Sequence, residues 1–164
     1  MVMLITREQT RQIQVVSETM LYQQVLDFFR AGAKTAQGKT VERTPLTNTQ
    51  INGLVNIVQA STYQELLNFV EHQYTRNMRD ERITRYYKDL RPILEQLPTL
   101  AQQEGILTDG LPTQQADEEM QIVHLLLARE LIQHLAAENM VREAQAKIDR
   151  QTARKDKTKK RAKP

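Results

Sequence analysis

Six cations recur at every third position through the middle of the chain: Arg76, Arg79, Arg82, Arg85, Lys88 and Arg91. Guanidinium groups grip phosphate oxygens in pairs and stack on bases, so such a row suits a ribose-phosphate backbone. A second group, Lys34, Lys39 and Arg43, follows Arg30 in a polar stretch that holds Gly32 and Gly38. Asp80, Glu81 and Asp89 dilute the first group and Glu42 the second, and the competing use of both is as solvated surface with local ion pairs. Tyr74, Tyr86 and Tyr87 lie among the arginines, where stacking would want them, although their helical spacing favours a buried stripe. On an ideal helix each step of three turns roughly 300°, so the row drifts around the cylinder. It forms no single stripe, and a helix break between Asn77 and Asp80 fits the sequence.

Other chemistry has weaker footing. Gly32 to Thr40 looks at first like a phosphate loop, but five residues separate Gly32 from Gly38-Lys39-Thr40 where that motif has four. A helix precedes it where a strand is required, and Pro45 follows too soon for a long helix. Glu130, His134 and Glu138 fall at i, i+4 and i+8, yet neither the paired Glu-x-x-His of di-iron bundles nor His-Glu-x-x-His occurs. Their expected role is the solvated edge of a packed helix, and no metal is expected. The chain has two serines, Ser17 and Ser61, and no Gly-x-Ser-x-Gly, although a nucleophile, base and acid can meet in space without a local signature. The expectation is a protein that is not an enzyme and needs no cofactor.

These groups must be carried by helices, because the apolar periodicity is helical throughout. The first helix spans about 7–30, with Ile13, Val16, Met20, Leu21, Val25, Phe28 and Phe29 on its apolar side and Gly32 as its stop. After a polar connector, Thr47 and Gln50 form a capping box that opens the second, and Thr62 with Glu65 opens the third, which ends near Asn77. The fourth starts at Asp80 and carries Pro92 and Pro98, which predict a kink or two short pieces. A loop over 105–116 leads to the longest helix, from about Asp117 to Lys147 or beyond, apolar nearly all round at Ile122 to Leu127. The fold class is all-α: a compact bundle of about five helices over 1–149, with a disordered basic tail over 150–164.

Charge is divided accordingly. The 164 residues carry 23 Lys plus Arg and 20 Asp plus Glu, a net charge of +3. Residues 150–164 hold eight cations and Asp156, so the body before them is mildly acidic and points to nucleic acid only through its local clusters. No cysteine is present, which removes thiol chemistry and suits a reducing, cytoplasmic setting. The longest apolar stretch, 122–137, is broken by His124, Arg129, Glu130 and His134, and the opening residues lack a secretory signal's basic start, so no membrane association is expected.

Two segments resemble a known family. Leu46-Thr47-Asn48-Thr49-Gln50-Ile51 is similar to the Leu-Thr-Thr-Ser-Gln-Ile start found in small helical subunits of type III CRISPR effector complexes. Leu67 to Arg76 resembles that family's helix ending in an arginine, and Leu126 to Leu135 sits where the family keeps its last long helix. The resemblance covers about 44–140. The family's arginine after Gln-Ile is replaced by Asn52, which leaves no counterpart for a contact made there. The resemblance implies a non-catalytic subunit that stacks along a ribonucleoprotein filament and helps hold the guide RNA and target RNA duplex through its backbone. Its partners would then be those RNAs, other CRISPR effector subunits and copies of itself. Arg76 is the contact carried over by motif; Lys34, Lys39, Arg43, Arg79, Arg82 and Arg85 are assigned from charge placement. The competing reading is a helical protein–protein adaptor whose basic tail binds nucleic acid without specificity.

Overall fold

The computed structural model describes residues 5–32 and 34–162, so the first four and last two positions, including the end of the basic run, lie outside the described residues. Seven α-helical segments form five rods: α1 (Arg7–Val16) continuing into α2 (Tyr22–Arg30), α3 (Asn48–Ala60), α4 (Tyr63–Arg76), α5 (Glu81–Glu95) continuing into α6 (Leu97–Gln103), and α7 (Thr113–Arg161). Capping boxes open α1, α3 and α4: Thr6 with Gln9, Thr47 with Gln50, and Thr62 with Glu65. In each, the threonine oxygen accepts from an otherwise unpaired backbone N–H and the longer side chain returns the favour. Asp80 caps α5 by accepting from the Arg82 and Ile83 amides. The expected break after Asn77 is therefore present.

Between α1 and α2 the chain makes a π turn over Ser17–Leu21, in which the Tyr22 amide donates to the Ser17 carbonyl. The additional residue rotates the helix so that Val16 is followed in the core by Leu21, while Met20 is only partly buried. Val25, Phe28 and Phe29 continue that face. Phe28, Phe29, Tyr86 and Tyr87 meet edge to face, with neighbouring ring centroids 4.9–6.0 Å apart. Tyr86 and Tyr87 are thus core, as their spacing favours. Pro92 is accommodated inside α5; the chain turns at Gln96 and restarts, with Pro98 in the first turn of α6 where a missing N–H costs little.

The central element is α7, whose Val123, Leu127, Leu131, Ile132 and Leu135 are buried by α1–α2, α3, α4 and α6. It begins four residues before the expected Asp117 and runs unbroken to Arg161. The disordered tail expected over 150–164 is corrected by this: 150–161 is exposed helix. The loss of apolar residues removes packing, but a nucleated helix propagates through good helix formers such as Ala, Gln, Arg and Lys. Lys159, Lys160 and Arg161 in the last turn also complement the negative helix end. At 1.5 Å per residue α7 is about 73 Å long. The projection shows in the accessible surface, 11186 Å² against about 8,400 Å² for a compact monomer of this mass. Among the described residues no helix is long and apolar enough to cross a membrane.

Candidate functional site

The connector after α2 folds back over that helix, and one side chain fastens it. Arg43 is buried, and its Nε donates to the Phe28 carbonyl at 2.9 Å, Nη2 to the Ala31 carbonyl at 2.9 Å and Nη1 to Asp89 at 2.8 Å. Its guanidinium also lies 4.1 Å from the Phe28 ring centroid. The Arg43 amide donates to the Phe29 carbonyl at 2.7 Å, an approach that Gly32 permits because a Cβ there would overlap the Val41 carbonyl and crowd the Arg43 amide. A few residues on, buried Asn139 of α7 grips Leu46 at both backbone groups, 2.8 and 2.9 Å, and accepts from the Tyr86 hydroxyl at 3.0 Å. Burial pushes the Tyr86 hydroxyl well above the ordinary tyrosine range, so it stays a donor.

Between the fastened connector and the start of α5 lies a cleft of about 350 Å³. Lys34 and Thr44 line one wall, Arg82 and Arg85 the other, and Arg43 the floor. Two segments about forty residues apart in sequence thus converge their cations. Two acids share the rim. Glu42 is held by Arg142 of α7 at 2.8 Å, and Glu81 approaches Arg85 at 3.4 Å in open solvent, a pairing worth little. The cleft therefore presents net positive charge to whatever enters it. Its neighbour, a hollow of about 500 Å³ sharing Thr44 and Arg82, adds Arg150 but also Asp80, Glu143 and Asp149. Of the two hollows, only the first is lined by more cations than acids.

The remaining assigned cations divide. Lys39 is exposed in the loop closed by the antiparallel bridge between Lys34 and Thr40, and it does not line the cleft. There the Gly38 and Thr35 amides donate to the chain's own carbonyls at 2.9 and 2.8 Å, so those amides are not turned out to cradle a phosphate. Arg76 and Arg79 are exposed where α4 turns into α5, beside Asp80, whose carboxylate caps α5, and neither lines the cleft. Arg43, assigned to RNA from sequence, is corrected to a structural role, because its guanidinium is enclosed by two carbonyls, a carboxylate and a ring. Arg91 is likewise committed, to Glu95 at 2.6 Å, Tyr74 at 3.0 Å and Glu71 at 2.8 Å, bonds that raise its affinity for its proton. Nine residues separate Arg82 from Arg91, and nine steps of 100° set them half a turn apart. One faces the cleft and the other faces α4.

Sequence spacing missed a polar cluster that spatial proximity creates. Ser17, in the π turn, donates to Glu130 at 2.7 Å and lies 2.8 Å from His134 Nε2. A serine nucleophile needs the imidazole to accept its proton. Here the Glu130 carboxylate, an acceptor, competes with the imidazole for that proton, and Ser17 is buried. The cluster docks the first rod on α7. Glu138, the third member of the spaced trio, pairs instead with Arg142 at 2.8 Å. Among the described residues no group of three or more His, Asp or Glu could hold a metal ion.

No family model matches the chain, and neither a curated protein nor a solved structure is significantly similar to it.

Proposed function

We propose that this protein is a non-catalytic, RNA-binding small subunit of a type III CRISPR effector complex in antiviral defence, working in the cytoplasm. On this reading it stacks with copies of itself and other effector subunits, and holds the guide–target duplex by its backbone while base pairing supplies sequence choice. The observation that carries the RNA-binding part is the convergence of Lys34, Arg82 and Arg85 on one cleft whose floor is fixed by an internally committed Arg43. Such a cleft has charge and shape for phosphates and little that could read bases. The CRISPR assignment adds the sequence resemblance over 44–140, in which Thr47 and Gln50 cap α3 and Arg76 closes α4.

The test is binding of double-stranded RNA over a range of salt. Lys34→Gln, Arg82→Gln and Arg85→Gln together are expected to weaken binding and to flatten the salt dependence, by about 0.7 to 0.9 per lost phosphate contact. Arg76→Ala with Arg79→Ala is expected to flatten it further. A slope indifferent to all five changes refutes the RNA surface. The second reading, an adaptor with a sequence-blind tail, is favoured by the exposure of every residue from 150 to 162. It requires that replacing the tail cations by Gln abolish binding while the cleft variants leave it intact.

A further inference from the structure

Asn139, Glu143, Ala146 and Arg150 of α7 follow one another at steps of four, three and four. At about 100° per residue they share one side of the helix, and Arg154, Lys157 and Arg161 continue it, all seven within an arc of about 80°. The near end of this side belongs to the body: Asn139 is buried, and Glu143, Ala146 and Arg150 line the hollow beside the cleft. The far end is in solvent, since every residue over 150–161 is exposed. The side that faces the hollow therefore runs on past the body as a stripe of cations, about 16 Å from Arg150 to Arg161. Among the described residues no acid pairs with Arg154, Lys157 or Arg161. Asp156, the one acid over 150–161, lies about a third of a turn from the stripe, and Lys155 and Lys159 lie on the opposite side.

The hollow occupies the inner angle at which α7 leaves the body. Asp80 and Arg82, at the start of α5, stand on one wall, and Ala146 and Arg150 on the other. Arg82 also lines the cleft, so the cleft cations and the stripe border the same angle. The acids of the hollow are already engaged. Asp80 accepts from the Arg82 and Ile83 amides, Asp149 accepts from Gln145 at 2.9 Å, and Glu143 lies 3.8 Å from Lys147 and 3.7 Å from Arg150.

We propose that the stripe is the second half of the RNA seat. One duplex rests its phosphates on Lys34, Arg82 and Arg85 of the body and on Arg154, Lys157 and Arg161 of the projecting helix. The inference rests on the cleft being an RNA surface, and it assigns the basic segment to that surface by one face alone. Charge selects the occupant. Arg150 with Arg154 and Lys157 with Arg161 are like-charged pairs at i, i+4, which cost the free helix stability that a polyanion restores. No aromatic residue occurs over 143–161 to stack on a base, so the contact is to the backbone and carries no sequence information.

Two variants of equal charge test it by face. Arg154→Gln with Lys157→Gln, and Lys155→Gln with Lys159→Gln, each remove two cations from the same segment. Glutamine is as good a helix former as lysine or arginine, so far-UV circular dichroism should show helicity intact in both. In binding of double-stranded RNA over a range of salt, the first pair is expected to lower the slope by about 1.4 to 1.8 and the second to leave it unchanged. Equal losses from the two pairs overturn the stripe and leave a sequence-blind tail. No loss from either pair, while Lys34→Gln, Arg82→Gln and Arg85→Gln together still weaken binding, overturns the stripe and leaves the cleft standing. Loss from the first pair with the three cleft changes inert overturns the cleft reading and the shared seat with it. The mass of the complex formed with excess short duplex is expected to show one duplex per chain, and two would overturn the single seat.

Discussion

Arg43 separates a surface-contact reading from a buried-clamp reading more sharply than any other residue. Arg43→Met keeps much of the stem over Phe28 and removes the fork that serves Phe28, Ala31 and Asp89. Breaking a fully buried ion pair costs about 3–5 kcal/mol, most of it the stranded charge. Asp89 is 46 % exposed and can rehydrate, and Ala31 is exposed as well, so only the Phe28 carbonyl is left dry. One unpaired buried carbonyl and the lost charge-assisted bonds together amount to about 3 kcal/mol. For a chain of this length that lowers the melting temperature by about 6–12 °C. Urea unfolding followed by circular dichroism measures it. Arg43→Lys keeps the charge but cannot reach three acceptors, so it should recover little of the loss. A change within about 0.5 kcal/mol for Arg43→Met, the range of an exposed site, would refute the clamp. Full rescue by lysine would show that charge alone matters there.

Gly32→Ala sets a methyl group against the Val41 carbonyl and should displace the connector, costing about 1–3 kcal/mol in the same unfolding assay. Asn139→Leu strands the Leu46 amide and carbonyl and the Tyr86 hydroxyl inside the protein, with an expected loss of about 2–4 kcal/mol; a neutral result would mean that the clasp is not formed. Ultraviolet titration should find Tyr63 and Tyr87 ionising near pH 12, two units above free tyrosine, through burial in both cases and the Glu95 charge at Tyr63, with Tyr86 likewise raised by its burial. Because folding raises these values, the stability they contribute is complete below about pH 10 and is lost as pH climbs toward 12. Normal titration of all three would place them in solvent.

Local chemistry carried most of the helix pattern. The Thr47–Gln50 and Thr62–Glu65 caps and the Asp80 start could be read from four-residue windows, because a cap is a contact between near neighbours. The π turn could not, since its extra residue is selected by what Ser17 meets on α7, more than a hundred residues away. The tail failed for a different reason: composition reports the absence of packing, and helix continuation needs none once α7 is nucleated. At the site, the drift of the three-spaced row foretold that Arg82 and Arg91 would part. Nothing local foretold that Arg43 would turn inward, because its partners are two carbonyls at the end of α2 and a carboxylate on α5.

These observations make α7 the organiser of the molecule. One side of it holds the connector through Asn139 and Arg142, which fixes the wall of the cleft and draws Glu42 toward α7. The opposite side leaves Val141 and Ile148 in solvent. By engaging Glu42, Arg142 leaves Glu81 as the acid of the rim that stays in open solvent, so the helix that organises the core also sets the charge of the cleft.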